Sequence, residues 1–243
     1  MKWQTHKIIG VTIADKLGLT GSIRNAFLEG IIAPDFYPEV STIPLFSGSR
    51  IKIKKIIVPH HKPNPQKILT FIFQARKLWL EGSHEEAAYW LGWGLHFLQD
   101  AFISKKYHAN IEKKLLYYEI PEDALLKALN DSFSVRTAIT LVKCARPMEN
   151  AEAILWAACY FSTFIARGVF MSANPPKILL ERFYLAKREF IKKLLFAGGL
   201  AICGGILLFL LPWLSLFPFL LAFLSAPFSS KFFDLRREIN WFR

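Results

Sequence analysis

Residues 88–100 read Ala-Tyr-Trp-Leu-Gly-Trp-Gly-Leu-His-Phe-Leu-Gln-Asp. Gly82 breaks the chain before this stretch, and Ser83 followed three residues later by Glu86 has the spacing of a capping box, so a helix is predicted to start there and run through His96 and Asp100. His96 and Asp100 stand four apart. On a helix that spacing puts both side chains on one face, one turn apart, where an imidazole and a carboxylate can ligate a single cation. The same spacing also suits an ordinary hydrogen-bonded pair, and the surrounding residues decide between the two.

Working outward, His108 and Glu112 repeat the four-residue spacing on what reads as the next helix, and His6, Asp35 and His60 or His61 add ligand types upstream. His84, inside the capping box, reads as a solvent-facing first-turn residue. Apolar residues from Ile8 to Leu17 recur at helical spacing and Gly18 supplies a stop, which predicts a first helix. Between Gly30 and Pro65 six prolines break the pattern, so the segment reads as one long irregular loop carrying Asp35, His60 and His61. Helix resumes at 66–81, and further helical patterns cover about 108–118, 121–143 and 149–171. No segment shows sustained strand alternation and no internal repeat is visible, so the expected class is all-α.

The far end of the chain has a different character. Residues 194–230 contain no charged residue at all, a run of 37. As one helix it would reach about 55 Å, against a bilayer core of about 30 Å, so it is expected to bend or cross twice. Pro212 divides it into halves, and both flanks are basic: Lys187, Arg188, Lys192 and Lys193 before it, Lys231, Arg236 and Arg237 after it. Both ends therefore prefer the cytoplasm, which favours a helical hairpin in the membrane. The expected organisation is a helical domain over 1–193, a membrane-embedded segment over 194–230 and a basic cytoplasmic tail over 231–243. An apolar interface packed on protein is the competing reading of the same run.

The formal net charge of +12 predicts attraction to an anionic partner, with lipid headgroups and nucleic acid as the two candidates. Three cysteines, Cys144, Cys159 and Cys203, offer no disulfide framework and point to a reducing compartment. Asp15 and Lys16 interrupt the first apolar segment, so a signal peptide is not expected and Met1 onward is expected to remain.

Leu91-Gly92-Trp93-Gly94-Leu95-His96-Phe97-Leu98-Gln99-Asp100 resembles the Leu-Gly-x-x-Leu-His-aromatic-x-x-Asp helix of the zinc-dependent phospholipase C family, which is related to the zinc-dependent single-strand nucleases. His6 with Ile9 and Ala14 resembles that family's first-helix His motif, Gly30-Ile31-Ile32-Ala33-Pro34-Asp35 its Gly-Ile-x-Ala-x-Asp turn, and His60-His61 its His-aromatic step. The ordered resemblance covers roughly residues 3–115, and it is far more specific than any single motif.

It implies an all-α fold and a cluster of zinc ions hydrolysing phosphodiester bonds. Carried over, His60, His96 and Asp100 hold one zinc, His6 and Asp100 another, and Asp35 activates or orients the attacking water. His108 and Glu112 stand where a later ligand pair is expected, and His61 is an alternative to His60. This sequence also departs from the pattern. The family's secreted members use a processed N-terminal Trp as ligand, whereas Met1 and Lys2 precede Trp3; the step from Asp100 to His108 is two residues longer, and no histidine follows 108. Two zinc ions are accordingly expected rather than three. The expected function is a membrane-anchored, cytoplasm-facing, phospholipase C-like phosphodiesterase acting on an anionic phospholipid. A single-strand nuclease on the same site and a non-catalytic membrane protein with a structural zinc site are its rivals.

Overall fold

The computed structural model of the 243-residue chain describes the backbone of residues 1–37, 40–47, 50–57, 64–104, 113–115, 117–210, 216–225 and 231–243. His60, His61, His108 and Glu112 lie outside the described residues, as does most of the helix expected over 108–118. The chain divides into two compact units, Met1–Met171 and Ser172–Arg243.

In the first unit α1 (Trp3–Lys16), α2 (Gly21–Phe36), α3 (Pro65–Leu80) and α4 (His84–Asp100) are followed by α5 (Glu122–Asn130), α6 (Val135–Cys144) and α7 (Ala151–Phe170). A two-stranded antiparallel hairpin, β1 (Val40–Ser47) and β2 (Arg50–Ile57), joins α2 to α3, with Val40 opposite Ile57 and Ser47 opposite Arg50. The fold is thus all-helical apart from this hairpin. α4 packs against both α2 and α3, and α7 lies against α1, α3, α4, α5 and α6. Ile9, Phe27, Ile72, Leu91, Leu95, Phe97 and Phe164 are fully buried or nearly so. At about 1.5–3 kcal/mol for each such side chain, these contacts carry the packing around α4.

Three expectations need correction. The stretch 30–65 is not one irregular loop, because α2 continues through Pro34 to Phe36 and a hairpin follows. Proline removes one helical hydrogen bond, but Gly30, Ile31, Ala33 and Pro34 are all buried, and packing outweighs that loss. The strand alternation in Ile51-Lys52-Ile53-Lys54 is short, and the surrounding prolines obscured it. The Ser83 hydroxyl makes no capping hydrogen bond, although α4 begins where expected. Finally, the pattern over 121–143 is two helices, α5 and α6, with Ser134 capping the second by accepting from the Thr137 amide at 3.0 Å.

The close approach of α2 and α4 depends on two glycines. A Cβ on Gly92 would lie 2.5 Å from the Phe27 carbonyl oxygen, and one on Gly30 would collide with the Tyr89 carbonyl. Only glycine lets the two backbones meet there, and the approach carries the C-terminal turn of α2 towards His96.

In the second unit α8 (Lys177–Leu210) runs for 34 residues, straight through the expected boundary at 193/194. It is followed by α9 (Leu216–Ser225) and α10 (Lys231–Asn240), both of which pack against it. α7 and α8 are both long and apolar enough to cross a membrane. The apolar window of α7 is 67% buried within the protein, as a core helix should be, whereas that of α8 is 6% buried.

Candidate metal centre

α1 contributes His6, α2 contributes Asp35 and α4 contributes His96 and Asp100. His6, His96 and Asp100 are buried, and His6 and His96 have no exposed surface at all. The two imidazoles stack with centroids 3.9 Å apart. His6 Nε2 lies 3.3 Å from Asp100 Oδ1, and His96 Nε2 lies 3.6 Å from Asp100 Oδ2. Asp35, in the last turn of α2 and not on a loop as expected, offers a carboxylate oxygen in a group with one nitrogen each of His6 and His96, all within 4.8 Å of one another.

The other ring nitrogens explain why the Nε2 atoms converge. His96 Nδ1 is 2.9 Å from the carbonyl oxygen of Ile31, which can only accept, so Nδ1 carries the proton. His6 Nδ1 is 2.7 Å from Gln99 Oε1, and Gln99 Nε2 donates in turn to Ser162 Oγ at 3.1 Å. With Nδ1 protonated on both rings, each Nε2 presents a bare lone pair, the form a metal requires. His6 Nε2 is fully buried and has no hydrogen-bond partner. A buried polar atom with no hydrogen bond is costly unless something else satisfies it.

Electrostatics favour the neutral imidazole. Burial above all, then the neighbouring His6, holds His96 well below its usual range, against the opposing pull of Asp100. The α-amine of Met1, also buried, donates to Asp100 Oδ1 and supplies positive charge beside a buried carboxylate. Trp3 is 40% exposed, with its ring against Phe36.

Two nitrogen donors and two carboxylates converging in a buried site are the donor chemistry of zinc. Residues 5–141 match the zinc-dependent phospholipase C family. The chain belongs to this family. No curated protein and no solved structure matches it. The match to the zinc-dependent phospholipase C family includes His6, Asp35, His96 and Asp100 as well as the four undescribed candidates, and it runs further than the 3–115 of the sequence resemblance. As a member of that family the protein is assigned to the zinc-dependent hydrolases at family level.

The Met1 amine, the Ile31 carbonyl and the Gln99–Ser162 pair were not singled out from sequence. Gln99 adjoins Asp100 in the motif, but Ser162 is a single hydroxyl on α7, sixty-three residues away, with no spacing to mark it. A surface hollow lined by Ser22, Ile23, Gly82, Ser83, His84, Glu85 and Glu86 contains none of the ligand candidates.

Proposed function

We propose that this protein is a membrane-anchored, phospholipase C-like phosphodiesterase whose metal centre is built on His6, Asp35, His96 and Asp100. The observation that carries the reading is the convergence of two Nε2 lone pairs on a buried carboxylate, with a second carboxylate within reach. Bound zinc there would lower the pKa of water and screen charge on phosphate oxygens. Asp100 places one carboxylate oxygen near each Nε2, so that a cation there would be shared by the carboxylate and both imidazoles. Asp35, assigned to water from the sequence resemblance, is close enough to both rings to act as a ligand with one oxygen while orienting water with the other. Gln99 and the Ile31 carbonyl hold the ring tautomers. His60, or His61, and the His108–Glu112 pair complete the proposed set, for two zinc ions in all.

The anchor is the second unit, whose apolar surface suits a lipid environment, with the basic flanks and the first unit on the cytoplasmic side. A phospholipid headgroup is the natural substrate of an enzyme held at a bilayer.

The test is zinc per chain in gently purified full-length protein, together with hydrolysis assays on anionic phospholipid and on single-stranded nucleic acid. About two zinc ions and phospholipid turnover are expected. Turnover of nucleic acid alone would make it the nuclease, and zinc without either activity would make the centre structural. Absence of zinc would remove the reading.

A further inference from the structure

In the second unit, Phe232 of α10 stacks on Phe183 and Phe190 of α8 with centroids 5.6 and 4.7 Å apart, and Phe233 meets Phe190 edge-on at 5.3 Å. α10 therefore lies along the first, charged half of α8. The charge-free run therefore begins at the middle of the long helix, and the chain beyond it lies back beside the first half. Within the run, α9 packs on α8 where the Phe219 ring sits against Gly204, where a Cβ would be only 3.1 Å from the ring. The outer surface of this apolar hairpin is large: Leu195, Ile202, Leu210, Leu216 and Phe217 are each more than 65% exposed.

The dimensions limit how such a hairpin can sit. Residues 194–210 of α8 extend about 25 Å and the ten residues of α9 about 15 Å, against a bilayer core of about 30 Å. Embedded from its neck, a hairpin of this length would be too short to emerge on the far side of the core. The neck, where α8 and α10 pair, would then be level with the headgroups of the near leaflet.

That neck is strongly basic. Outside the charge-free run the unit carries ten Lys and Arg against four Asp and Glu. Lys187, Arg188, Lys192 and Lys193 on α8 and Arg236 and Arg237 on α10 are all exposed. Of the acids on α8, Glu189 pairs with Lys192 at 3.2 Å.

We propose that the paired first half of α8 and α10 is a docking surface for anionic lipid headgroups, holding a re-entrant apolar hairpin in one leaflet. Charge complementarity selects this occupant, since an apolar hairpin alone would accept any lipid. The proposal rests on the membrane-anchor reading of the second unit and is independent of the metal centre.

The experiment transfers full-length protein from mild detergent to vesicles of phosphatidylcholine alone or of an equimolar mixture with phosphatidylglycerol, followed by flotation. A surface cation contributes about fivefold to binding an anionic leaflet. Association with the mixed vesicles should exceed that with phosphatidylcholine at least tenfold, and high salt should abolish the difference. The variant K192Q/K193Q/R236Q/R237Q should lose the preference while floating with phosphatidylcholine as before, with helix content checked by circular dichroism. Equal association with both vesicle types, or a preference that survives salt and the four substitutions, overturns the proposal. Association with neither, together with cross-linking of the apolar hairpins of two copies, overturns the anchor as well. Zinc content is measured alongside, so the phosphodiesterase reading stands or falls separately.

Discussion

α4 and α8 handle their side chains in opposite ways. α4 buries a histidine, a glutamine and an aspartate, all within its last turn and a half, while α8 leaves leucines, isoleucines and Phe196 exposed over its second half. Each arrangement is costly in water for an ordinary soluble domain. A buried carboxylate needs a compensating positive charge, and a large apolar surface needs cover. The Met1 amine already offers the carboxylate one positive charge, and the two departures fit the partners proposed above, a metal cation at the bare imidazole nitrogens of the first unit and lipid around the second.

The contrast is broken most directly by cutting the chain after Met171. The first unit contains every described ligand candidate, so it is expected to be soluble without detergent and to keep its zinc, whereas the full chain is expected to require detergent. Solubility and zinc per chain check this; a truncated protein that aggregates would show that the second unit covers part of the first.

Next in size are the two carboxylates of the metal centre. Asp100→Asn should remove the charge between the two imidazoles and lower both zinc content and turnover, the latter by roughly a hundredfold or more. Asp35→Asn separates two roles. Loss of zinc identifies a ligand, the reading its distance to the rings supports, while retained zinc with turnover reduced by about a hundredfold identifies a residue that acts on water.

A smaller effect is expected one step further out. Gln99→Leu removes the acceptor that holds the His6 tautomer and should weaken zinc binding by about 10–100-fold, whereas Gln99→Glu keeps an acceptor at that position and should retain more of the affinity. Competition with a chelator measures both variants, and nitrogen chemical shifts of His6 report the tautomer. Equal affinity in the two would assign Gln99 to packing alone.

The smallest expected effect is on stability against pH. His96 is held below its ordinary value in the folded protein, so the unfolded chain binds more protons as pH falls below about 6.5. Metal-free protein should therefore be less stable at pH 5.5 than at 7.5, losing up to about 1.4 kcal/mol per pH unit from this group. Denaturant melts at the two pH values check the sign.

How legible the protein was differs between the same two regions. The helical class, α1, α3 and α7, and the pairing of His96 with Asp100 follow from short-range periodicity, because a helix fixes its own i and i+4 neighbours. The charge-free run was equally plain, since the absence of charge over 37 residues needs no fold to interpret. The hairpin between α2 and α3 was not, because prolines flank a short alternation and hide it. Nor was the helical setting of Asp35, where packing of Gly30 against Tyr89 carries α2 past a proline that local rules read as a break.

By itself the sequence determined which residues offer ligand atoms and which segment carries no charge, both properties of side-chain chemistry. Only tertiary structure decided that the His6 and His96 rings stack, that Ser162 supports Gln99 across sixty-three residues, and that α10 returns along the charged half of α8. Contacts between residues far apart in the chain depend on how whole helices pack. Local periodicity carries no record of that packing.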